Sequence, residues 1–136
     1  MLPENATPKQ RALYDFGLRS PYSLLCACPR LGKTLVAISL ARARSAKCLV
    51  VCPAYLTLNW VKEIKKWHPS AIVTRFGAGK EIYSVFDSDF VVMSYAMVQK
   101  SESIFSWADM VVADEIHALK SISTQRTEFF HRCLFE

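Results

Sequence analysis

The sequence predicts an α/β domain of three layers, a mostly parallel sheet with helices on both faces. Three observations carry that expectation. The apolar run Leu24-Leu25-Cys26 enters a short loop, and Gly32-Lys33-Thr34 then opens a run with helical spacing through Leu35 and Ile38. The segments 47–52, 90–95 and 110–113, each with an unbroken apolar core, match strands that are covered on both faces. Between two of them, Trp60, Val61, Ile64 and Trp67 recur at helical spacing. Strands that alternate with helices in this way build parallel sheets.

The 136 residues suit one domain, 1–136, large enough to bury roughly two-thirds of the surface of its unfolded chain. With 51% hydrophobic and 21% charged residues, the composition is ordinary for a globular protein, and disorder is not the default. No apolar run reaches the length of a bilayer span, and the N-terminus lacks a basic-then-apolar leader. An intracellular protein is therefore expected, cytoplasmic in a bacterial or viral setting and nuclear in a eukaryote. The five cysteines, Cys26, Cys28, Cys48, Cys52 and Cys133, include no Cys-x-x-Cys pair and read as buried reduced thiols, with Cys28 the exposed exception. A net charge of +5 fits a polyanionic partner without demanding one.

Taken in order, Thr7-Pro8-Lys9-Gln10 reads as a helix start with Thr7 as N-cap and Pro8 in the first turn. Gly17 and Ser20-Pro21 are expected to end that helix. Gln10 has two open roles, capping-box partner or an amide that contacts an adenine edge, and spacing favours the cap. Tyr22 to Cys26 is the first strand and Lys33 to about Ala43 the first crossover helix. Lys47 to Cys52 is the next strand, stopped by Pro53. In the helix that follows, the tryptophans read as core, and Lys62, Lys65 and Lys66 as a solvated face, with nucleic-acid contact second. Ala71 to Phe76 is a short strand and Gly77-Ala78-Gly79-Lys80 a turn. Phe90 to Tyr95 and Met110 to Ala113 are buried strands, and Thr124 to Phe135 is helical.

Two segments carry chemistry. A loop that enters a helix at Gly32-Lys33-Thr34 suits a polyphosphate, because unpaired N–H groups and the helix dipole point at it. Lys33 would reach the outer phosphates, and the Thr34 hydroxyl would ligate Mg²⁺. Asp114-Glu115 closes an apolar strand. Asp114 is a hard oxygen partner for that Mg²⁺, and Glu115 would orient or deprotonate the water that attacks the terminal phosphate. The bland alternative is a capped turn. His117 would relay between this site and a neighbouring element. Ligands of parallel sheets sit beyond the carboxyl ends of strands, so the two segments should face one another.

The order Gln10, Gly32-Lys33-Thr34, Cys52-Pro53-Ala54, Ser94-Tyr95 and Asp114-Glu115-Ile116-His117 resembles the first RecA-like lobe of a superfamily-two (DEAD/DEAH-type) helicase of the Swi/Snf-related branch. Val50 to Ala54 with Asn59-Trp60 and Glu63…Trp67 is similar to that branch's second motif, and Leu119-Lys120 to the extension after its acidic motif. Annealing helicases come nearest in the compactness of their connections. The resemblance implies ATP and Mg²⁺ as cofactors, with Arg30, Leu31, Gly32, Lys33 and Thr34 around the phosphates and Gln10 on adenine. It implies Thr34 and Asp114 as metal ligands, Lys33 and Glu115 as catalytic residues, and His117 in coupling. Pro53, Ala54, Ser94 and Tyr95 would lie along the DNA backbone, without sequence specificity. Arg30 and Ala27 depart from the usual loop glycines, and Ile116 from the usual alanine.

The chain stops before the family's second lobe. Because an arginine finger is worth ~10³–10⁵ in rate, the expectation is an ATP-binding lobe of a DNA-dependent ATPase or translocase that hydrolyses ATP barely or not at all alone. A second lobe, in cis or from another chain, would complete it. The rival is a truncated, non-catalytic lobe that binds DNA or protein. A small-molecule P-loop kinase is disfavoured by the DNA-facing motifs.

Overall fold

A computed structural model of the chain describes residues 2–19, 32–76 and 82–115. The expected strand at 22–26, the loop residues Arg30 and Leu31, the turn at 77–80, His117 and the helix at 124–135 lie outside the described residues, as do Cys26, Cys28 and Cys133.

Helix α1 spans Pro8–Arg19. Its start is the reciprocal cap the sequence encodes: Thr7 N donates to Gln10 Oε1 at 2.8 Å, and Gln10 N donates to Thr7 Oγ1 at 3.2 Å. Gly17 does not end the helix. It sits inside α1 and is buried, because a Cβ there would lie 2.6 Å from Cδ1 of Leu40 on the next helix. Arg44 fixes that contact by donating from Nη2 to the Gly17 carbonyl at 2.5 Å.

Helix α2, Lys33–Ala43, buries every residue from Leu35 to Ala41. A helix buried nearly all round must have packing partners on opposite sides. Here α1 covers one side and the sheet the other.

The sheet contains β1 (Cys48–Cys52), β2 (Val73–Arg75), β3 (Phe90–Ser94) and β4 (Met110–Ala113) in the order β2-β3-β1-β4. All three pairings are parallel. Strand and helix alternate because each parallel connection must cross over a face. Helix α3, Thr57–Trp67, follows β1 after a 3-10 turn at Ala54–Leu56. Two short helices, α4 (Tyr95–Gln99) and α5 (Ile104–Trp107), separate β3 from β4. The strand expected to reach Tyr95 ends at Ser94, whose hydroxyl accepts from Met97 N and starts α4 instead.

Alternate residues of the central strands divide the core. Cys48, Val50, Cys52, Phe90 and Val92 meet Ala37, Ile38, Ala41, Trp60 and Ile64 on one face. Leu49, Val51, Val91 and Met93 meet Val85, Tyr95, Val98 and Ile104 on the other. Helices therefore cover both faces, as the sequence predicts. No helix among the described residues is long and apolar enough to cross a membrane.

The two ends of the sheet differ. At the amino ends, Asp109 Oδ2 accepts from Lys47 N at 3.0 Å and Asp89 Oδ2 from Ile72 N at 2.8 Å, which closes that edge with local hydrogen bonds. At the carboxyl ends, the register Cys52↔Ser94 and Val51↔Ala113 brings Pro53, Tyr95 and Asp114 to one level. The 11 residues of α2 rise about 16 Å, and the 5 residues of β1 span about as much, so helix and strand match in length.

Cys48 and Cys52 are buried free thiols. Burial pushes each up to about 12, and the Asp114 charge adds to the effect at Cys52. Both therefore stay protonated and unreactive. In the native chain at pH 8, iodoacetamide followed by peptide mass mapping should leave Cys48 and Cys52 unmodified, and denaturation should expose them. Rapid native alkylation of either would contradict this packing.

Candidate functional site

Gly32 is the N-cap of α2, with φ 69° and ψ 40°, in the left-handed region that a side chain disfavours. A Cβ at that position would also collide with Nε2 of Gln10. The glycine is thus fixed by its own backbone and by the neighbour that crowds it. Of the two roles that its sequence leaves open, Gln10 fills the capping one. Its amide oxygen is committed to the cap of α1, while its amide nitrogen lies against the phosphate-loop glycine. Lys33 and Thr34 follow in the first turn of α2 and are half-buried, and among the described residues no side chain engages either of them.

Asp114 extends the sheet by one rung beyond β4, its N–H donating to Val51 O at 2.8 Å. Three further hydrogen bonds hold it. Trp60 Nε1 donates to Oδ2 at 2.9 Å, Glu115 N donates to Oδ1 at 2.9 Å, and the Tyr95 hydroxyl donates to the backbone oxygen at 2.7 Å. Glu115 takes φ 53°, sparsely populated for a residue with a side chain.

Sequence reasoning reads Trp60 as core. It is core, 3% exposed, yet its indole N–H finds an acceptor in the acidic motif. The available signal was general: a buried tryptophan N–H needs a partner, but spacing does not say which. Tyr95 requires a correction. Its side chain, expected along a DNA backbone, is also only 3% exposed and points at Asp114. Burial, with Asp114 and then Cys52 and Glu115 adding charge, holds its hydroxyl well above the usual phenol range, so it remains a donor. Ser94 is partly exposed but its hydroxyl caps α4.

Along the same edge Pro53 is partly exposed and Ala54 exposed. Arg75, which sequence reasoning passes over, reaches from β2 to the start of α3. Its Nη1 lies 3.4 Å from Thr57 Oγ1, and that hydroxyl donates to Ala54 O at 2.9 Å. No carboxylate pairs with Arg75 among the described residues. A cation at the positive end of a helix is electrostatically disfavoured until an anion joins them. The lysines of α3 are exposed, but two are engaged: Lys65 Nζ donates to Ala71 O at 2.5 Å, and Lys66 stacks 4.9 Å over Trp67.

The donor set fits a magnesium–nucleotide complex. Among the described residues no three His, Cys, Asp or Glu side chains gather to cage a metal, so a bound ion would depend on phosphates and water as well as protein. Mg²⁺ favours that arrangement, with one or two protein oxygens. Each Asp114 carboxylate oxygen accepts one hydrogen bond and retains acceptor capacity toward the ion or its water.

Residues 19–134 match the SNF2-related domain family. The chain belongs to that family. A curated relative, the SWI/SNF-related matrix-associated actin-dependent regulator of chromatin subfamily A member 1 of Mus musculus, is 32% identical over 115 residues, covering 72% of this chain and 11% of that protein. Helicase swr-1 of Neurospora crassa is 34% identical over 89 residues, covering 57% of this chain and 5% of the relative. This SNF2-related chain thus spans about a tenth or less of the length of these relatives. Among solved structures, the Sulfolobus solfataricus SWI2/SNF2 ATPase core in complex with dsDNA superposes with a TM-score of 0.83 at 21% identity, covering 94% of this chain and 30% of that one. The UvsW helicase of bacteriophage T4 gives 0.79 at 20% identity, covering 98% and 51%. At such identities the structural likeness establishes the helicase-core fold of the SNF2-related chain.

Replacing Gly32 by Ala places a Cβ in the left-handed region and against Gln10, at a cost of about 1–2 kcal/mol from the backbone alone. Thermal unfolding should show a lower midpoint for Gly32→Ala, whereas an unchanged midpoint would mean that the loop readily adopts another shape.

Proposed function

We propose that this chain is the nucleotide-binding first RecA-like lobe, 1–136, of a DNA-dependent ATPase or translocase, and that its carboxyl edge binds Mg²⁺–ATP and the phosphates of duplex DNA side by side. The observation that supports the reading is the Asp114-Glu115 step at the carboxyl end of β4 together with a glycine-led start of α2 whose Lys33 has no side-chain partner among the described residues; the reading sets these two segments side by side.

Each residue then has a chemical task. Lys33 holds the outer phosphates as a point charge, and the α2 N–H groups receive the inner ones. Arg30 and Leu31 belong to the same loop by motif. Thr34 and Asp114 hold the metal, which when bound neutralises phosphate charge and orients the terminal group. Glu115 is the group that takes the proton of the attacking water. Gln10 offers its free N–H to a ring nitrogen of adenine while its oxygen maintains the cap. His117 couples the site to a neighbouring element by motif. Arg75, Thr57 and the backbone at Pro53-Ala54 and Ser94 form the DNA-facing strip, and a second lobe, in cis or from another chain, closes over both ligands. The relatives, one a regulator of chromatin and another an ATPase core in complex with dsDNA, support this class of activity.

Two substitutions separate the two ligands. Lys33→Ala should weaken Mg²⁺–ATP binding by about ten- to a hundredfold, as expected for a lost bond to a charged group, and should spare DNA. Calorimetric titration reads this, and unchanged ATP binding would remove the phosphate-loop assignment. Arg75→Ala should weaken binding to any duplex sequence and lower the slope of log affinity against log salt by about 1, with ATP binding intact. An unaltered salt slope would take Arg75 out of the DNA strip.

A further inference from the structure

Trp60 and Tyr95 are unlike ordinary core aromatics in one respect. Each belongs to a segment of the proposed DNA-facing strip, and each spends its polar atom on the same residue of the proposed metal site. Trp60 lies on α3, the helix that begins behind Pro53-Ala54 and carries Thr57, the partner of Arg75. Its Nε1 donates to Asp114 Oδ2 at 2.9 Å. Tyr95 opens α4 directly after Ser94, and its hydroxyl donates to the Asp114 carbonyl at 2.7 Å. The two rings sit in the two separate cores, one on each face of the sheet. Asp114 is thus held from both layers, by its carboxylate on one side and its backbone on the other.

We propose that Asp114 is where the DNA-facing strip is coupled to the metal–nucleotide site, with Trp60 and Tyr95 as the positioning residues that carry the coupling. The inference rests on the proposed function and goes beyond it. Both aromatics are packed in buried clusters, so neither ring swings independently of its helix. A shift of α3 or α4 against the sheet must therefore move the donor relative to Asp114 or move Asp114 itself. Groups that orient a metal ligand in this way typically change metal affinity ten- to a hundredfold when removed. A carboxylate with one firm donor on Oδ2 and one on Oδ1 has a defined direction for its remaining lone pairs. Loss of the Trp60 donor leaves the carboxylate held by the Glu115 N–H alone and less firmly oriented.

A purely structural role for Trp60 makes a different forecast. It would lower stability when disturbed and leave the linkage between the two ligands untouched. The linkage is measurable as the factor by which a duplex changes the affinity for Mg²⁺–ATP, and coupling of this kind is typically about 5–150-fold.

The test uses the full chain and two variants that keep an aromatic ring, Trp60→Phe and Tyr95→Phe. Mg²⁺–ATP affinity is titrated calorimetrically with and without a 20-base-pair duplex. The wild type should show a coupling factor of at least about fivefold. In Trp60→Phe, DNA affinity without nucleotide should stay within about twofold, Mg²⁺–ATP affinity should fall about tenfold, and the coupling factor should drop below about two. Tyr95→Phe, which loses only an oxygen, should also reduce the factor, and it decides the matter if Trp60→Phe does not fold. Wild-type coupling retained in both variants would overturn the inference and leave the proposed function standing. A wild type that binds both ligands with no coupling would do the same. A wild type that binds neither ligand would overturn both.

Discussion

The pairing of β1 with β4 is the constraint on which the rest depends. It ends on one bond, Asp114 N–H to Val51 O, and that rung decides where the acidic step stands relative to Pro53. A slip by one residue would exchange the faces of the whole strand and send Val111 into the wrong core. Because both cores are filled by alternate residues of the same strands, such a slip is opposed on both sides at once. The register that satisfies the interior thus also sets the geometry of the edge.

The edge itself is built from groups with unmet needs. Its helix start has N–H groups aimed outward, its lysine lacks a described partner, and its arginine is set beside a like-signed helix end. The opposite edge shows the contrast, since Asp89 and Asp109 satisfy the backbone there and leave little for a ligand to gain. A domain of marginal stability keeps unneutralised cations together only where an anion completes them, or where solvent screens them well. Lys33 is half-buried and screened poorly, which favours the first explanation.

Much of this was legible in the sequence. The unbroken apolar runs gave the parallel sheet, and Thr7-Pro8-Lys9-Gln10 encoded its cap in full. What escaped was tertiary. Gly17 reads as a stop because glycine usually ends helices, whereas its role is to admit Leu40. Ser94-Tyr95 reads as the end of a strand, since nothing local reveals that Ser94 caps a short helix and turns Tyr95 inward. Arg75 lies between two strand residues and looks unremarkable until the fold brings it to α3. The bond from Trp60 to Asp114 joins residues 54 positions apart and has no signature in periodicity. Motif order named the candidate residues, and only packing showed how Trp60, Tyr95 and Asp114 hold one another.

The most direct test of a single shared site is nuclear magnetic resonance with Mn²⁺–ATP in place of Mg²⁺–ATP, because the paramagnetic ion broadens only nearby amides. The account predicts that the amides of Lys33, Thr34, Asp114 and Glu115 broaden together, and that those at the amino ends of the strands, such as Lys47 and Asp109, stay sharp. Broadening at one segment without the other would contradict it.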